Sequence, residues 1–173
     1  LNGLAVCAGV GGLELGLRVA LGDAYRTVGY VEREASAAAA LVARMDEEAL
    51  DRAPVWDDLA TFPSGLYRGR VDLVSAGFPC PPVSVAGERK GVEDERWIWP
   101  LVWRTARDVG ARWLFLENVT GLTSDRRAFG AVLGDLAEGG FSSQWLCLRA
   151  SDVGASHRRD RWFCLAHHER GGR

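Results

Sequence analysis

No apolar run in the sequence approaches the roughly twenty residues that a helix needs to cross a bilayer. The start also lacks the basic flank and long apolar core of a secretory leader. Both absences point to a cytoplasmic protein. The four cysteines, Cys7, Cys80, Cys147 and Cys164, are scattered, and none has the paired spacing that holds zinc or forms a redox dithiol. A metal is therefore not expected, and reduced thiols in an intracellular protein fit best. There is no acidic or basic tail: the formal net charge is -2, with 25% charged and 47% hydrophobic residues, a globular balance. Repeats, linkers and low-complexity tracts are missing too, the alanine run at 37–40 being good helix former. At 173 residues the chain reads as one domain, 1–173, large enough for a single good core but short for an enzyme with a separate recognition module. Basic residues cluster at Arg126-Arg127 and around Arg158-Arg159-Asp160-Arg161; each cluster fits either a solvated surface or a local nucleic-acid contact.

What the chain does have is organised around Ser75-Ala76-Gly77-Phe78-Pro79-Cys80-Pro81-Pro82-Val83-Ser84. One cysteine stands among three prolines, directly after an apolar run. Proline fixes its own backbone and pushes the preceding residue toward extended conformations, so Cys80 is presented at a strand end. Judged alone, a small apolar plug is the competing reading.

Upstream, the apolar stretch 4–8 leads into Gly9-Val10-Gly11-Gly12 and then Leu13, Leu15, Leu17 and Leu21, a strand, a glycine turn and a helix. Such a turn lets the backbone approach a ligand beside free helix-start amides. It is not the dinucleotide fingerprint, whose third glycine would fall on Glu14. The next strand, 27–31, closes on Glu32, about twenty residues further on, where an acid in such folds bonds ribose hydroxyls. Glu34 is better placed to start the helix 35–45. Asp57-Asp58-Leu59 follows a turn, where a carboxylate either caps a helix or holds an adenine edge. Beyond the strand 71–76 and the loop 84–92, the pattern predicts a helix over 98–109 and a strand from Trp113 running into Glu117-Asn118-Val119. A helix over 126–138, a strand over 141–149 and a last strand over 162–166 complete it, the last two antiparallel. The alternation predicts an α/β fold: a Rossmann-like, mostly parallel twisted sheet with helices on both faces and an antiparallel strand near the C-terminus.

Four stretches, Ala8-Gly9-Val10-Gly11-Gly12, Gly77-Phe78-Pro79-Cys80, Glu117-Asn118-Val119 and Arg158-Arg159-Asp160-Arg161, resemble, in this order, the motifs of the DNA (cytosine-5)-methyltransferases. Residues 84–96 are similar to that family's mobile catalytic loop, and the resemblance runs nearly the whole length. It implies S-adenosylmethionine as methyl donor, held by Ala8, Gly9, Val10, Gly11, Gly12, Glu32, Asp58 and Leu59. It implies Cys80 as the thiolate that attacks carbon 6 of a cytosine flipped out of DNA, and Glu117 as the donor to ring nitrogen 3. Arg161, with Arg159 behind it, would bond the carbonyl oxygen of the base. Pro79 would face the base, Ser84 would lie in the loop, and Asn118 would brace the cysteine segment.

The sequence departs from the family at Cys7, where a phenylalanine is usual, and at Ala5, Pro81, Val83 and His157. Beyond Ala166 the resemblance leads one to expect a target-recognition region, a late cofactor-side motif and a final helix, so the catalytic domain reads as incomplete at its C-terminus. A second polypeptide, or the rest of a longer product, would supply recognition. The alternatives are a non-catalytic relic or accessory chain, and a related transferase acting on cytosine.

Overall fold

The computed structural model describes residues 1–80 and 97–168. The expected loop at 84–96, with Ser84, Pro81 and Val83, lies outside the described residues. Seven strands form one sheet: β1 (Asn2–Val6), β2 (Arg26–Val31), β3 (Val55–Trp56), β4 (Leu73–Gly77), β5 (Trp113–Val119), β6 (Phe141–Arg149) and β7 (Asp160–His168). Their order is β3-β2-β1-β4-β5-β7-β6. The first five are parallel, and β7 runs antiparallel between β5 and β6. The helices are α1 (Gly12–Leu21), α2 (Ala35–Asp46), α3 (Trp99–Val109) and α4 (Arg126–Glu138). This is the expected α/β architecture, and the strand order switches sides between the parallel neighbours β1 and β4, where such sheets place their ligands.

The two faces are filled differently. On one, α3 and α4 press Trp99, Val102, Val109, Val132 and Leu136 onto Leu4, Val74, Leu114 and Leu116, the main core. Trp99 Nε1 donates to Asp135 Oδ2 at 2.6 Å, tying the two helices together. On the other face α2 lays Leu41 and Met45 over Ala5 and Tyr30, and α1 lies beside it over Ser75, which is register partner to Ala5. Register places Phe115, Leu165 and Gln144 on that same side, followed by Phe163 with Leu146. No described helix covers this half: Leu165, Leu146 and Leu148 are exposed, and the Phe115 and Phe163 rings stack on each other at 6.1 Å.

Several expected boundaries move. β1 ends at Val6 because Cys7 already turns, with φ +51°. β5, by contrast, carries Glu117 and Asn118 at its end as expected, β7 pairing with it as far as Val119 with Arg161. β3, only two residues long, carries too little pattern to read in advance. The helix after the glycine turn forms as expected, with Leu13 and Leu17 half-buried and Leu15 and Leu21 exposed, while Glu14 is buried over Ser75.

Candidate active site

The glycine turn is built by backbone geometry that side chains disfavour. Gly9 (φ +55°) and Gly11 (φ +80°) are left-handed, a region glycine enters without steric cost. A Cβ on Gly11 would also overlap Leu50. The Gly11 amide bonds Ala8 O at 2.9 Å, and Arg44 holds Val10 O at 2.6 Å, so the turn is pinned from both sides. The Gly11 cap contributes no side chain, leaving the first amides of α1 open. Glu32 stands directly across from the turn: its Oε2 accepts from Gly9 N at 2.7 Å and its Oε1 from Glu34 N at 2.7 Å. Each carboxylate oxygen has a second lone pair free for a hydroxyl. Cys7, beside them, has its thiol pushed up to about 12 by burial and by the Glu32 charge.

Asp58 and Leu59 follow β3. Asp58 Oδ1 accepts from Ala60 N at 2.9 Å, a turn cap, and Leu59 is buried with its carbonyl held by Arg104. The side chain of Leu59 therefore packs into the core rather than projecting beside the glycine turn. Glu34 is the N-cap residue of α2, though its side chain makes no capping bond to the helix and takes the Ser36 hydroxyl instead.

β4 delivers the Cys80 segment. Phe78 is buried against the Trp97 and Trp99 rings, at 6.1 and 5.4 Å between centroids, and its carbonyl accepts from Asn118 Nδ2 at 2.8 Å. Asn118 is itself buried and spends its Oδ1 on Val119 N. An anchored residue thus stands two positions before Cys80, with exposed Pro79 between them. Cys80 is half-buried, and burial, then the Asp125 carboxylate, push its thiol upward, so the protonated form is favoured at rest.

Glu117 stands at the end of β5, beside Gly77 of β4 and Phe163 of β7. Its Oε1 accepts from Arg161 Nε at 2.7 Å, and Arg161 also donates to Asp160 O at 2.8 Å. Its Oε2 lies 3.4 Å from where a Cβ of Gly77 would be, so a side chain there would crowd it. Arg159 is not in this pair. It is exposed, with φ +38°, and its carbonyl takes the Ala150 amide at 3.4 Å. Arg149, which sequence reasoning did not single out, forms a half-exposed ion pair with Asp160 at 3.2 Å, beside Arg161. Asp125 was missed as well; it caps α4 through Arg127 N and Ala128 N while its charge reaches Cys80. An acid directly before a helix was the available signal.

Glycine turn, thiol, carboxyl and guanidinium thus share one edge of the sheet. The family model for C-5 cytosine-specific DNA methylase matches residues 1–171. The chain belongs to the C-5 cytosine-specific DNA methylases. Among relatives of this methylase, Type II methyltransferase M.NgoMIV of Neisseria gonorrhoeae is 35% identical, over 94% of this chain and 50% of that protein. Type II methyltransferase M.CviJI of Paramecium bursaria Chlorella virus IL3A is 32% identical, over 94% and 42%. The methylase spans about half the length of the curated relatives it matches. Among solved structures, S. pombe Dnmt2 methyltransferase superposes with TM-score 0.77 at 19% identity, covering 100% of this chain and 52% of that one. Entamoeba histolytica methyltransferase EhMeth gives 0.79 at 16%, covering 98% and 53%. These two likenesses establish the shared fold. Among the described residues no helix is long and apolar enough to cross a membrane, and no cluster of His, Cys, Asp and Glu could hold a metal ion.

Proposed function

We propose that this chain carries the chemical half of methyl transfer to carbon 5 of cytosine in DNA, with Cys80 as the nucleophile. The observation that supports it most is the shared edge of Cys80, Glu117 and Arg161, with Asn118 anchoring the cysteine segment. Carbon 5 of cytosine is a poor nucleophile. A Cys80 sulfur–carbon 6 bond breaks the carbon 5–carbon 6 double bond's conjugation, the displaced electrons run to nitrogen 3, and Glu117, carrying a proton on the oxygen that faces the base, donates it there, so that the ring becomes an enamine. Arg161 orients Glu117 through its Nε and keeps a terminal nitrogen for the base's carbonyl oxygen. Once carbon 5 is methylated, a base or water takes its proton, the freed electron pair re-forms the carbon 5–carbon 6 double bond, the carbon–sulfur bond breaks and Cys80 leaves as a thiolate. Pro79 faces the base, which must leave the duplex to enter such a pocket. Because Cys80 is protonated at rest, arrival of the base has to be coupled to loss of the thiol proton. Arg159, outside the Glu117 pair, is assigned to the DNA-facing rim.

S-adenosylmethionine fits the opposite end of the same edge, where it would supply an electrophilic methyl group. Gly9, Gly11 and Gly12, alternating with Ala8 and Val10, offer a turn with little side-chain bulk, with nothing within 4 Å of a Cβ placed on Gly9. Glu32 offers two oxygens for the ribose, and Asp58 with the Leu59 backbone lies on the adenine side. The test is incubation with labelled S-adenosylmethionine and mixed DNA, followed by nucleoside analysis; 5-methylcytosine is expected, and label on any other base would refute the reading.

Target recognition is assigned to the remaining length of a longer product or to a second polypeptide. The support is the uncovered apolar half-face formed by Phe115, Phe163, Leu165, Leu146 and Leu148, since exposed apolar surface of this kind marks an interaction site.

A further inference from the structure

Helix α1 buries one residue, and it is an acid. Glu14 is 2% exposed, whereas Leu15, Val19 and Leu21 of the same helix face outward. The Ser75 hydroxyl donates to Glu14 Oε1 at 2.6 Å, and Ser75 is wholly buried on β4, between Ala5 of β1 and Phe115 of β5. Among the described residues, Glu14 Oε2 is sealed from solvent without a hydrogen-bond partner. Among the described residues this is the single side-chain hydrogen bond from α1 to the sheet. A buried carboxyl with half its bonding capacity unmet costs free energy, and an apolar residue would hold the helix more cheaply. What the acid adds is direction. Glu14 lies three residues after Gly11 of the glycine turn, and Ser75 lies five before Cys80.

We propose that Glu14 is a positioning residue that locks the glycine turn to the Cys80 strand through Ser75. The proposal rests on reading Gly9–Gly12 as the cofactor turn. A charged carboxylate at this depth would lack both water and a cation, and burial raises its carboxyl above the ordinary value against smaller opposing effects of the Ser75 hydroxyl and of Glu14's own backbone amide. Facing the site are Tyr25 and Tyr30 from the β2 side, with Asp51 beyond them and Arg18 one turn along α1. Both phenols are pushed up, Tyr30 to about 12, so neither changes charge below about pH 10. Asp51 Oδ2 is engaged by Thr27 N.

The folded state holds the Glu14 proton more tightly than the unfolded state. The sign follows: this group's contribution to stability is full below its ordinary value of 4.5 and is lost as pH rises toward its raised folded value. The experiment compares wild type with Glu14→Gln, Glu14→Leu, Glu14→Ala and Ser75→Ala. It reads backbone hydrogen exchange across residues 9–21, S-adenosylhomocysteine affinity by calorimetry, and urea stability between pH 4 and 9. Glu14→Ala and Ser75→Ala should speed exchange in 9–21 and weaken the ligand, each by roughly tenfold, as expected for one lost buried hydrogen-bond partner. Glu14→Gln, which can still accept from Ser75, should restore both and remove the pH-dependent loss. If Glu14→Leu matches wild type in exchange and affinity, or Glu14→Gln fails like alanine, the proposal is overturned. Should Glu14→Ala not fold, the glutamine and leucine comparisons decide alone. If wild type binds no S-adenosylhomocysteine, the cofactor reading fails, while exchange and pH dependence still judge Glu14.

Discussion

Arg161 Nε lies 2.7 Å from Glu117 Oε1, reaching along the antiparallel β5–β7 ladder from its place opposite Val119. Both side chains are largely shielded from solvent, so the pair is a directed contact rather than a loose surface ion pair. A lysine cannot reproduce the planar fork that serves Glu117 and Asp160 O together. Arg161→Lys is therefore expected to cut methyl transfer by at least roughly a hundredfold while leaving the urea midpoint nearly unchanged. Initial rates under saturating cofactor measure the first, and a denaturation curve the second.

The two left-handed glycines of the turn should not respond alike to alanine. At Gly9 the cost is the backbone alone, about 1–2 kcal/mol. At Gly11 the added methyl also runs into Leu50, and overpacking raises the total to roughly 2–5 kcal/mol. Equilibrium denaturation of Gly9→Ala and Gly11→Ala tests this; equal losses would show that the Leu50 contact relaxes at no cost.

Asp125 supplies the like charge that helps keep the Cys80 thiol protonated. Asparagine caps a helix about as well as aspartate, so Asp125→Asn removes the charge and keeps α4. The thiol's pKa should fall and iodoacetamide should alkylate Cys80 roughly two- to fivefold faster near pH 8. An unchanged rate would mean that burial alone sets the protonation of Cys80.

The isolated chain should bind duplex DNA weakly and without sequence preference, in the range of roughly 10⁻⁴–10⁻⁶ M, with affinity falling steeply as salt rises. The basis is that the exposed arginines Arg126, Arg127 and Arg158 offer phosphate contacts at the rim. Titration of random-sequence duplexes at two salt concentrations measures this. Efficient methylation confined to one short motif by the chain alone would show that groove recognition is already contained in it.

The alternation of apolar strands and periodic helices was legible because α/β sheets bury their strands on both faces, and α4 and β6 match their expected bounds to the residue. Glu32 opposite the glycine turn was legible from spacing alone. The Glu117–Arg161 pair came from a family resemblance, since the two residues are far apart in sequence and meet only through the β5–β7 register. The burial of Glu14 on α1 could not be read, because five apolar side chains outvote one acid in any hydrophobic pattern. What decides it is the Ser75 hydroxyl, contributed by a strand some sixty residues later. Arg159 shows the converse: it sits in the motif beside Arg161, yet a left-handed backbone carries it to the surface.

The proposed covalent bond between Cys80 and carbon 6 of cytosine can be trapped directly. Fluorine at carbon 5 blocks the proton loss that would release the thiol, so DNA containing 5-fluorocytosine, incubated with the protein and S-adenosylmethionine, should trap the complex. The account expects a band that survives denaturation, vanishes in Cys80→Ala, and maps by peptide mass to Cys80 and to none of Cys7, Cys147 or Cys164. An adduct that persists in Cys80→Ala would contradict it.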